Sequence, residues 1–465
     1  MRKGRSWLGA FVALTLFTTA AHAKDLGEIL LKKGLITADD LKQAQEEEKQ
    51  KSAAEDARRD AITAKIPKWL DAVSLFGDLR TREEGFYEND FHARNRFRLR
   101  ARVGLNANVT DEIAATVRLT SGDPNDPIST NQTFSNTFTR KPINLDWAYL
   151  TLKPGKTFNL EPGWVTIYAG KFWVNAYRAS ELVWDDDVSP EGATETLNLW
   201  ERRTGFLRGF RLSAFEWVLD ELSADKDPWI GGGQAIVDTG LGTAATWTAA
   251  FADYNYVNIN KVASKFFPQF TDPPTNSKAN ANFNSVLAGE NSNDLAKDSS
   301  GKIIGYKSGF NVINGASELN FPDPVGLGIP VGVFGDLAYN TQADGRNVGF
   351  YGGVGIGNAG KDWYHNGLKN KGDWGASYTY LWVEKDAVLS ILTYSDITYN
   401  QKKATQGGGT NVDGHILRLD YELFNNFQLT AKVHILNALD RKISSASLVG
   451  NPTLMRTQFD AVLKF

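Results

Sequence analysis

Residues 94–106, RNRFRLRARVGLN, decide the fold class because two kinds of side chain alternate along them. Arginine occupies every second position from Arg94 to Arg102, and apolar residues fill most of the positions between. Successive side chains of a β-strand point to opposite faces, so the pattern predicts a strand with one guanidinium face and one apolar face. A soluble sandwich would turn the arginines to solvent, whereas a membrane barrel would turn them to an aqueous lumen and the apolar face to lipid.

The composition favours the barrel over other membrane folds. The chain has 465 residues, a net charge of −3, a mean hydropathy of −0.34 and no cysteine. No apolar run of about 20 residues follows the first two dozen positions, so a helical membrane bundle is not expected. The absence of cysteine excludes thiolate metal sites, disulfides, a catalytic thiol and haem attachment. The acidic balance argues against a nucleic-acid partner.

The N-terminus has the parts of a secretory signal peptide. Arg2, Lys3 and Arg5 form a charged segment, residues 8–17 are apolar, and Ala21-His22-Ala23 is a small-residue cleavage site. A buried N-terminal helix is the alternative. We expect residues 1–23 to be removed near Ala23 and the mature protein to lie outside the cytoplasm.

The C-terminal segment QFDAVLKF carries Phe459, Leu463 and the terminal Phe465 on one parity. A last amphipathic strand that ends on an aromatic residue resembles the assembly signal of bacterial outer-membrane barrels. It predicts recognition by the barrel-assembly machinery. The alternative is an edge strand of a soluble sheet that happens to end on phenylalanine.

Residues 24–66 differ from the rest, since they are rich in Lys, Glu, Ala and Gln and poor in aromatics. Thr37 is a plausible N-cap for a long charged helix, so we expect a helical periplasmic leader. A coiled coil that trimerises the barrel or contacts the cell wall is one interpretation. A solvated spacer helix is favoured, because apolar heptads are not sustained.

From residue 67 onward, alternating segments predict an all-β transmembrane antiparallel barrel of about sixteen strands over residues 67–465. The predicted strands are 73–84, 94–106, 113–120, 143–152, 164–171, 194–203, 206–217, 234–239, 245–255, 309–320, 330–340, 348–357, 374–383, 411–423, 427–437 and 455–465. Residues 387–398 are assigned to a loop because bacterial barrels have even strand numbers. Eighteen strands are the alternative, with one hidden in the Asn-rich residues 256–307.

The glycines and the aromatic residues of the strands lead to two further predictions. The glycines between Gly349 and Gly357 could admit a close loop neighbour or allow the barrel to bend. Aromatic residues at strand ends could form interfacial girdles; they are Trp147, Tyr149, Trp164, Tyr168, Trp374, Tyr378 and Tyr380.

The alternating arginines predict a basic ladder on the pore wall. The ladder comprises Arg80, Arg82, Arg94, Arg96, Arg98, Arg100, Arg102 and Arg118. The third long loop, residues 172–192, is acidic and contains Glu181, Trp184, Asp185, Asp186, Asp187 and Glu191. Folded inward, it would constrict the lumen, and Asp185, Asp186, Asp187 and Glu191 are the expected partners of the arginines. A Ca²⁺ site and a solvated acidic loop are the alternatives, but the EF-hand spacing is missing.

Several segments, GDLRTREE, RNRFRLRARVGL, RLTSGDPND, YAGKFW, LVWDDDVSPEG and KGDWGASYTYLWVEKDAVL, resemble the bacterial outer-membrane "putative porin" family. The resemblance covers residues 77–465, and WDDDxxPEG is its most specific element. It implies a sixteen-stranded diffusion channel of the Gram-negative outer membrane, a homotrimer surrounded by lipid, with small polar or anionic solutes as cargo. The lysine ladder expected of a phosphate-selective pore is absent.

Two other functional classes are weaker. An outer-membrane enzyme would need catalytic residues, but no GxSxG elbow accompanies the four mature histidines, so no catalytic residue, metal or cofactor is expected. A plugged barrel, or a scaffold that binds another envelope component, is the main alternative to an open channel.

Overall fold

A computed structural model describes residues 37, 39, 72–88, 93–135, 137–266, 293–299, 303–360, 368–397, 409–440 and 453–465. The chain divides into two units, Met1–Asp71 and Ala72–Phe465. Thr37 and Asp39 are the described residues of the first unit, and Asp39 is helical and exposed. The predicted signal peptide and almost all of the predicted leader therefore lie outside the described residues.

The second unit is a closed antiparallel β-barrel. Its long strands are β1 (Val73–Glu88), β2 (Arg94–Asn108), β3 (Ile113–Ser121), β4 (Ile143–Leu152), β5 (Val165–Lys171), β6 (Glu191–Glu201), β7 (Leu207–Val218), β8 (Trp229–Leu241), β9 (Ala245–Val257), β10 (Phe310–Phe321), β11 (Val331–Asn340), β12 (Val348–Gly357), β13 (Trp374–Val383), β14 (Val412–Phe424), β15 (Phe427–Ala438) and β16 (Leu454–Lys464). Each pairs with its neighbours in chain order, and β1 pairs with β16 to close the barrel.

The predicted all-β antiparallel barrel is confirmed, with sixteen long strands in the described ranges, whereas its membrane placement and the helical leader stay predictions. The sheet has one further member, the two-residue strand Gln132–Thr133, which pairs with β2. The described part of 387–398 is a loop, as predicted. Within residues 256–307, the described parts form the end of β9, helix α1 (Ile259–Phe266) and a separate hairpin of Leu295–Lys297 with Ile303–Tyr306. None of the helices described has the length and apolar composition to cross a bilayer.

Strand β2 has the two faces that its sequence predicts. Phe97, Val103 and Leu105 lie on the outer surface with exposures of 53%, 43% and 50%. The arginines of the opposite parity point inward, and Arg98 is only 6% exposed. An apolar outer face and a charged inner face are the arrangement of a barrel that is surrounded by lipid.

One β-bulge overturns part of the girdle prediction. In the pairing of β3 with β4, Arg118 lies opposite Trp147, and the next residue, Leu119, lies opposite Leu145. One extra residue of β4, Asp146, is therefore inserted between the two pairs. The intervening Asp146 is 5% exposed. From the bulge onward, the parity of β4 changes, and Trp147 and Tyr149 pack in an inward cluster that also includes Tyr168, Phe172 and Trp173. Trp374 and Tyr378, by contrast, are on the exposed outer face.

The lumen is divided into an apolar half and a charged half. The apolar half holds loop 3 (residues 172–190) and the described part of loop 7 (residues 384–411), both packed against inward side chains of the wall. Leu182, Trp184 and Val388 are at most 1% exposed there. Gly349 admits these loops, because a Cβ at this position would meet Leu182 at 2.9 Å and Ala387 at 3.4 Å. The expectation of a close loop neighbour is thus confirmed at this glycine.

Candidate functional site

The arginine ladder lies on the inner face of β1, β2 and β3. In the pairing of β1 with β2, Arg80 lies opposite Arg100, and Arg82 lies opposite Arg98. Like charges directly across a sheet destabilise it unless carboxylates compensate them. The positions of the nearby carboxylates therefore determine which arginines are neutralised.

Strand carboxylates neutralise several of the arginines. Asp78 accepts hydrogen bonds from Arg100 Nε at 2.9 Å and from Arg102 Nε at 2.6 Å. Both carboxylate oxygens of Asp460 on β16 accept from Arg82 at 2.7 Å. These bonds cross the β1–β2 and β1–β16 pairings, so they also stabilise the closure of the barrel.

Arg456 of β16 joins the strands to loop 7. It donates to Glu84 of β1, and its Nη2 lies 2.6 Å from Asp396 Oδ1. Asp396 also pairs with Arg82 at 3.2 Å. Glu84 in turn accepts from Arg96. All five side chains are nearly buried, so each charge depends on its partners.

Two further ladder residues, Arg118 and Arg94, contact aromatic rings. Arg118 pairs with Asp146 at 2.5 Å, and its guanidinium lies 3.1 Å from the Trp147 ring centroid. Arg94 lies 5.6 Å from the centroid of the Phe86 ring. We define the charged network as Arg80, Arg82, Arg96, Arg98, Arg100, Arg102, Arg118 and Arg456 with Asp78, Glu84, Asp146, Asp187, Asp396 and Asp460.

The expectation that loop 3 supplies the arginine partners is largely wrong. Asp187 does contact the ladder, at 3.4 Å from Arg102 Nη1. Asp186, however, pairs with Arg178, and Glu191 begins β6 and pairs with Lys171. Most carboxylates of the network belong to the strands and to loop 7. Several of them are far in sequence from the arginines that they contact, so the sequence does not reveal the pairing.

Asp185 and Trp184 hold loop 3 in place instead of facing the ladder. Asp185 accepts the backbone amides of Asp187 and Ser395, each at 2.8 Å. Trp184 is 1% exposed, and its ring centroid lies 5.2 Å from those of Trp217 and Tyr254. Loop 3 is therefore anchored to the wall and to loop 7, and the solvated-loop alternative is wrong for these two residues.

The loop carboxylates have opposite protonation tendencies. Burial, with Glu181 and Asp187 nearby, raises the pKa of Asp185 well above its usual range. Burial and the Asp186 carboxylate raise the pKa of Glu181 to about 8. Burial would also raise the pKa of Asp187, but Arg100 and Arg102 outweigh it and lower the pKa to about 2. Within the described ranges, no cluster of three or more His, Asp or Glu side chains could hold a metal ion.

A family comparison identifies the class of protein. The family model described as "Putative porin" matches residues 86–448, which is most of the barrel. The chain belongs to this family. The family is one of outer-membrane channels, in agreement with the inward charges and outward apolar face of the barrel.

Solved porin structures resemble this porin at low identity. Pseudomonas putida OprB at high pH is 11% identical, with 86% of this chain and 96% of that chain covered and a TM-score of 0.48. OmpF of Salmonella typhi in complex with daunomycin is 10% identical, with coverage of 84% and 97% and a TM-score of 0.45. The trimer form of in-vitro folded Vibrio cholerae OmpT is 12% identical, with coverage of 84% and 99% and a TM-score of 0.41. No curated protein sequence matches the chain.

The porin has a cavity of about 700 Å³ at the end of the barrel that carries the long loops. Its lining includes Trp184, Trp217 and Leu392, and it continues past Ser129 and Thr130 of loop 2 (residues 122–142). The charged residues of the lining are Asp123, Asp126, Asp146, Lys171, Asp187, Glu191, Asp220 and Glu221. We call this cavity the acidic vestibule, because carboxylates greatly outnumber its single lysine.

The site predicted from the sequence lacked six of the fourteen residues of the charged network, namely Arg456, Asp78, Glu84, Asp146, Asp396 and Asp460. Arg456 and Asp460 alternate on β16 with the outward Phe459, and this parity was a signal that they point inward. Asp396 gave no such signal, because it lies in a loop segment without periodicity. The pore-wall role of the ladder and the constriction role of loop 3 remain predictions.

Proposed function

We propose that the porin forms a narrow, water-filled diffusion channel along the charged half of its lumen, for small polar or anionic solutes. The proposal rests on the balance of the charged network, in which eight arginines face six carboxylates. Two guanidinium charges are in excess. A passage lined in this way favours anions over cations.

The contact between Arg102 and Asp187 supports a local field beside this passage. The arginine belongs to the wall and the carboxylate to loop 3, with 3.4 Å between them. Adjacent opposite charges at the edge of a narrow pore orient water and dipolar solutes. Arg102 keeps 18% side-chain exposure, which leaves it accessible to a solute.

The outer surface supports insertion in the outer membrane, and we propose a homotrimer surrounded by lipid. The C-terminal residues Phe459, Leu463 and Phe465 are 55%, 42% and 52% exposed on the outer face. They are thus available to the barrel-assembly machinery before insertion. Export with cleavage near Ala23 belongs to the same proposal.

The experiment is single-channel conductance of refolded protein in a planar bilayer, with the reversal potential under a KCl gradient. We expect discrete steps and a modest anion preference. Arg100→Gln combined with Arg102→Gln should move the reversal potential towards that of a cation-selective pore. Arg203→Gln, an exposed arginine in the turn after β6, should leave it unchanged.

A plugged barrel is the second candidate, and the interlocked loops favour it. Loop 3 and loop 7 fill the apolar half of the lumen and bond to each other, as in the 2.8 Å bond from Asp185 N to Leu392 O. If folded, heat-modifiable barrels insert but show no conductance steps, the open channel is wrong and this candidate replaces it.

A further inference from the structure

Two arginines of the charged network lack the compensation that their neighbours have. The carboxylate that pairs with Arg80 is Asp460, at 3.9 Å, and both oxygens of Asp460 already accept from Arg82 at 2.7 Å. Arg98 donates to neutral acceptors, namely Ser129 Oγ at 3.2 Å and the Asn131 carbonyl at 3.5 Å. The excess positive charge of the network is therefore concentrated at Arg80 and Arg98.

Both guanidinium groups converge on one residue of loop 2. Arg80 Nη2 donates to Asn131 Oδ1 at 2.6 Å, and Arg98 Nη2 lies within 3.5 Å of the carbonyl oxygen of the same asparagine. Among the described residues, neither Arg80 Nε nor Arg98 Nε has an acceptor. A buried donor without an acceptor is costly, and two such donors on adjacent cations indicate a missing partner.

An oxyanion is the partner that this geometry fits. A guanidinium presents its N–H groups in a planar fork that matches the two oxygens of a carboxylate, sulfate or phosphate. The Arg98 residue is 6% exposed, and the Arg80 side chain is 11% exposed. In this low-dielectric setting the attraction is stronger than it would be at the surface.

The acidic vestibule gives such a solute a route to the two arginines. Ser129 and Thr130 line it, and Ser129 Oγ accepts from Arg98. Thr130 is 6% exposed, and its hydroxyl has no hydrogen-bond partner among the described residues. This third unpartnered group belongs to a residue that lines the cavity and directly precedes Asn131.

We infer that Arg80, Arg98 and Asn131 form a binding site for the oxyanion group of a permeating solute. The inference rests on the proposed channel and specifies its cargo as solutes with a carboxylate, sulfate or phosphate group. Arg82 donates to carboxylates, and Arg456 donates to carboxylates and to the Asp396 backbone carbonyl, so both arginines hold the fold. Arg80 and Arg98 select the solute.

The test has two independent readouts on the full, refolded protein. The first is sulfate binding by isothermal titration calorimetry in detergent, and the second is saturable reduction of chloride conductance by added sulfate at constant ionic strength. Arg80→Gln or Arg98→Gln should weaken sulfate binding about tenfold, since each removes charge-assisted hydrogen bonds. Acetate and inorganic phosphate, titrated separately, identify which oxyanion binds best.

Two control variants separate this site from general charge effects. Arg211→Gln removes an arginine outside the charged network that already has a carboxylate partner, Asp238 at 2.8 Å, so it should leave sulfate binding within about twofold of the wild type. Arg98→Lys keeps the charge but loses the planar fork, and it should restore only part of the affinity. Heat-modifiable migration confirms that each variant is folded.

The outcomes distinguish the site from the channel. Conductance without saturable sulfate binding would overturn the site and leave the channel intact. Sulfate binding that depends on Arg80 and Arg98, in a barrel that does not conduct, would keep the site and overturn the channel. Equal weakening in Arg211→Gln would show that only net charge matters, and the site would be wrong.

Discussion

At the scale of single residues, the arginines of the lumen have different roles, although they occupy similar alternating positions in the sequence. Arg456 is 3% exposed and has two carboxylate partners, Glu84 and Asp396, with the Phe86 ring centroid 5.1 Å away. Arg102, on the same inner surface, remains partly accessible. A buried cation with full compensation stabilises the fold, whereas an accessible one acts on solutes.

Arg456→Met should lower the free energy of unfolding by roughly 3–5 kcal/mol, because it leaves buried carboxylates without a main partner. Urea-induced unfolding in detergent, followed by tryptophan fluorescence, measures the change. Arg203→Met, at an exposed turn position, should have little effect. A loss of under about 1 kcal/mol for Arg456→Met would mean that water replaces the guanidinium and that the pair is not structural.

At the scale of elements, loop 3 and loop 7 form one interlocked unit. Thr393 Oγ1 donates to the Leu182 carbonyl at 2.6 Å, and Ser395 N donates to Asp185 at 2.8 Å. The two loops lie far apart in sequence, yet they exchange backbone and side-chain hydrogen bonds inside the lumen. A change in the charge of one loop should therefore affect the mobility of both.

The raised pKa of Glu181 predicts that this unit loosens at alkaline pH. Because its pKa is about 8 in the folded loop, above the unfolded value, its stabilisation is complete at acidic pH and is lost as the pH rises through about 8. The charged groups around it include Asp185, Asp186 and Asp396, which oppose ionisation, and Lys432 and Arg418, which favour it. We expect open-channel current noise to increase between about pH 6 and about pH 9.

Glu181→Gln, which stays neutral, should remove most of this pH dependence. Glu221→Gln changes an exposed carboxylate of the vestibule and should retain it. If the noise of the wild type and of Glu181→Gln rises equally with pH, another group controls the loops. Asp185, whose pKa is also raised, would then be the next residue to test.

The strands show which structural features can be predicted from the sequence and which cannot. The strict alternation of 94–106 was sufficient to predict the faces of β2, because side-chain parity in a strand is a local property. Parity failed at the bulge beside Asp146, where one inserted residue turned Trp147 inward. The partner of Arg456 could not be predicted, since Glu84 is 372 residues away and meets it only through barrel closure.

At the scale of the whole molecule, two regions of opposite net charge lie side by side in the lumen. The acidic vestibule is at the end with the long loops, and it adjoins the charged network, with which it shares Asp146 and Asp187. The range of the electrostatic potential of each region depends on the salt concentration. The vestibule is open to solvent and is therefore screened, whereas the nearly buried network is screened much less.

This difference predicts that anion preference increases with ionic strength. The Debye length falls from about 30 Å at 0.01 M to about 3 Å at 1 M, so the vestibule repels anions mainly in dilute salt. Reversal potentials at a fixed KCl ratio and rising mean concentration measure the effect. The combined variant Asp123→Asn, Asp220→Asn and Glu221→Gln should show anion preference already in dilute salt.

The matched control is Asp123→Glu, Asp220→Glu and Glu221→Asp, which keeps every charge of the vestibule and should retain the salt dependence of the wild type. Anion preference that falls as salt rises would contradict the arrangement. Such a result would require the arginines to be the solvent-screened charges and the carboxylates the protected ones. It would place the selective step of the passage in the vestibule, not in the charged network.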